Sequence, residues 1–269
     1  DHKKLASARA EKAINVWGCD LFLMMDSAEV LIKGLRDMPY NKNDKRSKYY
    51  GINGVIDVLS LVNIKDDNKI VRYLKANEEF NEIVDQYDEE EYEIIIDYKG
   101  MKRPPCNVSA SNNENWDYHE RQILTYSWLR QKQEGKKPVA GIIFYLNELV
   151  PSIEDLKLIQ EDLRYHLTDV GDGEEYEKDI EVIENWTEDD DMPKLSEKFK
   201  IDRSIRVIPI DDKKINEALE KFDNVVEKIE TSIIKEINGC KIQDAWTAEA
   251  EERTCSACDF KTFCKTNKN

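Results

Sequence analysis

No apolar run in the 269-residue chain reaches the length needed to span a bilayer, and no signal peptide is present. Helical membrane proteins and secreted precursors are set aside on those grounds. Internal repeats are absent, which excludes solenoids and propellers. Cysteine is scarce: six thiols in a chain this long do not form a secreted disulfide scaffold, and a reduced, intracellular protein is expected. Positive charge is in deficit, with 40 Lys and Arg against 56 Asp and Glu and a net charge of −16. That balance argues against a protein whose whole surface binds nucleic acid. Histidine is limited to three residues, and none lies between Cys19 and Asp57.

What is present is enough for a sizeable core, with 40% hydrophobic residues, inside a surface rich in charge. The length allows one large domain or two small ones. The negative charge is concentrated. Residues 151–200 hold 17 acids against 6 Lys and Arg, a net of −11, which leaves −5 for the other 219 residues. A basic stretch runs from Lys33 to Lys48 and another covers Lys99 to Arg103, so a local basic groove is compatible with the total. Ordinary solvated Lys and Arg account for these stretches equally well.

Periodicity predicts helix over residues 3–38, from Leu5, Ala8, Ala13, Val16, Leu23, Val30, Leu31 and Leu35, with a cap at Asp26 or Ser27. Gly51 to Ile64 reads as a strand in which Gly54 allows a bend or close approach. Asp66-Asp67-Asn68 reads as a turn into a second strand, Lys69–Leu74. Glu78 to Glu91 reads as loop or surface helix. Ile94-Ile95-Ile96 marks a strand covered on both faces near the middle of a sheet. A helix over Asp117–Lys132, a strand over Val139–Leu146 and a helix over Glu154–Leu167 follow. Residues 168–200 are acidic and poorly periodic, and read as an insertion or flexible excursion. Ser204–Ile210 resembles an edge strand. Lys213–Ile237 is a long amphipathic helix stopped by Gly239. The order gives an α/β or α+β domain with a helical N-terminal layer.

Two groups of residues carry chemistry. At the tail, Cys255-x2-Cys258-x5-Cys264 supplies three of the four thiolates that a metal or iron–sulfur site takes, so the fourth ligand comes from elsewhere in the chain. On the predicted sheet, Asp57 interrupts an apolar strand, and Asp97 and Lys99 end the central one. As i and i+2 of a strand they face the same side. Two acids and the Tyr98 carbonyl are hard oxygen ligands suited to Mg²⁺ or Mn²⁺. Taken alone, Asp-x-Lys at a strand end is most often an ion pair. Gln122 and Tyr126, at i and i+4, share one helix face.

In chain order, Cys19, Gly54-Val-Ile-Asp57, Asp97-Tyr-Lys99, Gln122-x3-Tyr126 and Cys255-x2-Cys258-x5-Cys264 resemble the PD-(D/E)xK nuclease superfamily. The likeness is to its RecB-like branch with an iron–sulfur cluster, which includes the AddB nuclease domain, CRISPR-associated RecB-like exonucleases and the exonuclease V family. The resemblance implies an α/β restriction-endonuclease-like core in one domain over residues 1–269. Its parts are a helical N-terminal layer (1–48), a catalytic sheet core (49–147), an acidic insertion (148–202), and a strand, long helix and Cys tail (203–269). It implies that Asp57 and Asp97 bind the metal with Tyr98, that Lys99 is the catalytic lysine, and that Gln122 and Tyr126 line the site. It also implies that Cys19, Cys255, Cys258 and Cys264 hold a [4Fe–4S] cluster clasping the two ends of the chain, with Cys240 as the rival fourth ligand.

The function so implied is divalent-metal-dependent hydrolysis of DNA, single-stranded ends before duplex, in DNA repair. The protein is then a free exonuclease or, as the start at Asp1 fits, the nuclease domain of a helicase–nuclease with a helicase partner. Two other readings are kept: a catalytically silent nuclease-like module that binds DNA or protein, and a zinc-stapled protein unrelated to nucleic acid. The chain departs from the family in two places. No His precedes Asp57, where Glu29 is the substitute considered, and the Asp57–Asp97 interval is long enough to imply an inserted hairpin or loop.

Overall fold

The computed structural model describes residues 7–9, 11–15, 25–39, 46–87, 89–108, 113–134, 137–171, 173–246, 255–256 and 258–259. Among the described residues, five strands form one mixed sheet in chain order: β1 (Ser27–Asp37), β2 (Tyr49–Asn63), β3 (Glu91–Lys99), β4 (Ala140–Tyr145) and β5 (Ile205–Pro209). β2 and β3 pair antiparallel from Val58↔Ile96 to Asn63↔Glu91, β3 and β4 pair parallel, and β4 and β5 pair antiparallel. β3 is therefore the middle strand, and residues 94–97 are all buried, as its continuous apolar run requires.

The pleat sends alternate residues of β3 to opposite faces. Ile94 and Ile96 join Ala140, Ile142 and Phe144 against two short helices, α1 (Lys69–Lys75) and α2 (Glu78–Val84), in one hydrophobic core. The odd-numbered residues face α3 (Glu114–Glu134), the crossover between the parallel strands β3 and β4. Arg130 of α3 forks onto Glu93 of β3 with two bonds of 2.8 Å.

Two sequence expectations before β3 are corrected, and of the loop and surface-helix readings of Glu78–Glu91 the helix is found. Helix is present at 7–9 and 11–15, but Ser27–Asp37 is strand β1, not the end of a helix. Val30 and Ile32 are β-branched, and Gly34 lies against Leu129 and Trp128, so packing overrides the helical spacing. Asp26 accepts the Leu61 N–H instead of capping a helix. Lys69–Lys75 is helix α1, because the Asn68 side chain takes the Val71 N–H at 2.9 Å and caps it. Glu78–Val84 is a helix capped by Asn77, and it buries Phe80, Ile83 and Val84.

The acidic segment is structured. After α4 (Leu146–Leu149) and α5 (Ile153–Arg164) come a 3₁₀ turn (Glu174–Tyr176), α6 (Glu177–Asn185) and α7 (Glu197–Ser204). Leu156, Ile159, Leu163, Tyr176, Ile183, Trp186 and Phe199 form their own core. The apolar residues are few but well placed, and the acids stay outside. Beside this core lies a buried ion network. The Arg203 guanidinium, 0% exposed, bonds Glu148 and Asp162, and Glu148 also accepts the Arg103 N–H at 2.7 Å. Arg103 forks onto Asp169 and donates to the carbonyls of Arg203 and Ile205. The chain leaving β3 is thereby anchored four residues past Lys99.

The chain divides into two compact units, Asp1–Gly34 with Ile52–Ala218, and Leu35–Gly51 with Leu219–Asn269. The first contains β3, β4, β5 and α1 to α7. In the second, Arg36 forks onto Asp223 at 2.8 and 2.6 Å, Tyr50 donates to the same carboxylate at 2.7 Å, and Arg46 forks onto Glu230. α8 (Asp212–Ile237) runs through both and ends at Gly239, whose φ of 85° suits a residue without a Cβ. A short helix, α9 (Ile242–Ala245), follows. Among the described residues no helix is long and apolar enough to cross a membrane.

Candidate active site

The end of β3 gathers the polar groups. Its ladder with β2 stops at Val58↔Ile96, and beyond that point the Tyr98 N–H donates to Asp57 Oδ2 at 3.0 Å. Asp57 thus replaces a backbone partner and brings its carboxylate beside that of Asp97. Tyr98 points the other way and stacks on Phe144 at 5.6 Å, which fixes the strand end. Burial, then Asp57, push its phenol up to about 12.

Asp97 is 2% exposed. Its Oδ1 accepts from Gln122 Nε2 at 3.2 Å. Lys99 Nζ lies 2.6 Å from its Oδ2, an ion pair, yet Oδ2 receives no hydrogen bond of adequate direction. Lys99 Nζ donates to Gln122 Oε1 at 2.8 Å. The Gln122 amide therefore touches both the acid and the base, and donates also to the Tyr126 hydroxyl at 3.0 Å. Burial holds the Asp97 carboxyl above its ordinary range; Lys99 pulls it down and Asp57 pushes it further up.

Tyr126 reaches the centre because Gly54 makes room for it. A Cβ on Gly54 would lie 2.6 Å from Tyr126 Cε1. Asp57, Asp97, Tyr98, Lys99, Gln122 and Tyr126 are thus brought together. Glu29 is an exposed residue of β1, at φ 50°.

His119 and Tyr145 were not among the residues picked out from sequence. His119 stands at i−3 from Gln122, so its signal was the same helix face. It is 4% exposed, and its Nδ1 lies 3.2 Å from the Tyr145 hydroxyl. Burial, then Lys99 and Arg206, push its imidazole down to about 4.

The donor set fits a hard divalent ion. The charge of Asp57 bears on the buried Asp97 carboxylate, and the two acids with the Tyr98 carbonyl are hard oxygen donors. Among the described residues, no group of three or more His, Cys, Asp and Glu side chains is set to hold a metal. Of the cysteines, Cys19 and Cys264 lie outside the described residues. Cys255 is half-buried and Cys258 exposed, with the Cys258 N–H on the Cys255 carbonyl at 3.2 Å. Cys240 and Cys106 are half-buried.

A family model described as the PD-(D/E)XK nuclease superfamily matches residues 83–265, more than half the chain and inclusive of Asp97, Lys99, Gln122 and Tyr126. No curated protein and no solved structure matches.

Proposed function

This chain belongs to the PD-(D/E)XK nuclease superfamily, and from that premise we propose that it is a divalent-metal-dependent DNA nuclease acting on single-stranded ends. The observation that carries the reading is the meeting of Asp57, buried Asp97 and Lys99 at the end of β3, with Lys99 Nζ 2.6 Å from Asp97 Oδ2. Asp57, Asp97 and the Tyr98 carbonyl would hold Mg²⁺ or Mn²⁺. Such an ion, when bound, supplies Lewis-acid stabilisation of phosphate charge and an acidified water.

The chain's own residues do the rest. Lys99 presents an ammonium to the attacking water or to a phosphate oxygen and stabilises the negative charge that develops there. Gln122 accepts from Lys99 while donating to Asp97, and so orients both at once. Tyr126 bounds the site on the Gly54 side and offers a ring edge to a base.

A [4Fe–4S] cluster on Cys19, Cys255, Cys258 and Cys264 belongs to this proposal as a structural clasp. It is supported by the tail spacing and by the turn that joins Cys255 to Cys258. Scarce cysteine fits a reducing, intracellular compartment. Membership of a helicase–nuclease, with a helicase partner and a role in DNA repair, is the setting that the resemblance favours. The second reading, a nuclease-like module without catalysis, is favoured by one observation: only two carboxylates meet at the described site.

Cleavage of a 5′-labelled single-stranded oligonucleotide separates the two. Activity with Mn²⁺ or Mg²⁺, lost in Asp97→Ala and Lys99→Ala, is expected. Intact DNA under every divalent ion would leave the silent module. Absorbance near 400 nm with about four irons per chain identifies the cluster, and a colourless protein with stoichiometric zinc removes it.

A further inference from the structure

His119, Gln122 and Tyr126 occupy positions i, i+3 and i+7 of α3 and form one stripe over the ends of β3 and β4. Gln122 and Tyr126 serve the acid–lysine centre, whereas His119 sits over Tyr145. Tyr145 is the register partner of Lys99 across the parallel pair, so their side chains leave neighbouring strands on the same face. Tyr145 is 0% exposed, its ring is 5.7 Å from that of His119, and the imidazole stands within hydrogen-bond distance of its hydroxyl.

On the far side of the pair, Arg206 is fixed by Glu120 at 2.6 Å, by the Trp116 carbonyl at 2.8 Å and by the Trp116 ring at 3.4 Å. Burial first, then the positive charges of Lys99 and Arg206, disfavour the charged form of the imidazole.

We infer that His119 and Tyr145 are positioning residues for Lys99: hydrogen-bonded to each other, they fill the space beside it and hold its ammonium at Asp97 and Gln122. This rests on the reading of Lys99 as part of a phosphodiesterase centre. A lysine stem has many rotamers, and the side chain is partly exposed, so the bond to Gln122 competes with outward swings. A Tyr145 ring pinned by His119 closes the route towards β4. An uncharged partner is required, because a charged imidazole would repel the ammonium it helps to place.

The test uses the whole chain as His119→Leu, Tyr145→Phe, the double variant and His119→Asn, whose amide can occupy the Nδ1 position. Single-turnover and steady-state cleavage of a labelled oligonucleotide with Mn²⁺ gives kcat and KM, and the ¹³Cε signal of Lys99 is followed by NMR. Each single change is expected to lower kcat about tenfold with KM within about twofold, the scale of one lost hydrogen bond. The double variant should match the singles, His119→Asn should recover most of the rate, and the Lys99 signal should shift in both singles. Unchanged kcat and an unchanged Lys99 signal in Tyr145→Phe, which keeps the ring packing, would overturn the inference. So would additive losses in the double variant. If the wild-type protein cleaves nothing, the functional reading fails, while the Lys99 signal still decides whether the pair positions it.

Discussion

Replacing Arg203 by Met removes a fully buried cation and keeps a side chain of similar length. The guanidinium makes five bonds: to Glu148 at 2.9 and 3.2 Å, to Asp162 at 3.0 Å, to Thr168 at 3.2 Å and to the Val170 carbonyl at 3.0 Å. Asp162 keeps Lys102 at 2.5 Å, and among the described residues Glu148 keeps only the Arg103 N–H. Removing one member of a buried charge network costs about 3–5 kcal/mol, because the remaining charge has lost its counter-ion. Against a total stability of about 5–15 kcal/mol, that is a large fraction. Glu148→Gln added to Arg203→Met removes the stranded charge and leaves an oxygen for the Arg103 N–H, so the double variant should be the more stable of the two.

The sign of the pH dependence follows. Burial already holds Asp162 above its ordinary range, while Lys102 and Arg203 pull it down. Without Arg203, Asp162 rises further. An acid whose folded pKa is raised destabilises the protein above that pKa, and the penalty disappears as the pH falls towards the unfolded value of about 4. The deficit of Arg203→Met should therefore be largest at neutral pH and shrink on acidification. Urea denaturation followed by circular dichroism and tryptophan fluorescence measures it. A loss below about 1 kcal/mol at pH 7.5, or a double variant no more stable than Arg203→Met, would refute the reasoning.

Gly54→Ala places a methyl 2.6 Å from Tyr126 Cε1, and overpacking of this kind costs about 1–3 kcal/mol; thermal melts should show a lowered midpoint, and an unaltered one would mean that Tyr126 is not held there. Asp223 is kept below its usual range chiefly by its hydrogen bond to Arg36, so its contribution is present above about pH 4 and is lost as the pH falls through the depressed value. Melts of Asp223→Asn and wild type from pH 7 to 3 should differ by a constant amount down to about pH 4 and then converge. A gap already closing at pH 6 would contradict the assignment.

Legibility in the sequence followed the range of the interactions. Ile94-Ile95-Ile96 announced the central strand because a run covered on both faces needs no partner to be recognised. The 26-residue α8 announced itself through sustained spacing. β1 was not legible: Val30, Leu31 and Leu35 satisfy helical spacing, and the packing of Gly34 against Trp128 and Leu129 lies nearly a hundred residues away. α1 and α2 are seven residues each, too short for periodicity, and rest on single Asn caps. The segment after α5 looked shapeless because it adds only Tyr176, Ile183, Trp186 and Phe199 to the core it shares with α5, at wide and uneven intervals.

At the site, Asp97 and Lys99 could be paired by strand parity, and Gln122 and Tyr126 by helix pitch. What joined the two pairs lay beyond either rule. The link is the Gln122 amide, whose oxygen accepts from Lys99 while its nitrogen donates to Asp97 and Tyr126. A carboxylate or an ammonium at position 122 could satisfy one of those partners only by repelling the other. An amide presents acceptor and donor on one planar group, so it can serve an acid and a base two residues apart on one strand. Through that geometry Asp97 keeps Oδ1 on Gln122 and Oδ2 against the Lys99 ammonium, so one amide sets the acid and the base together.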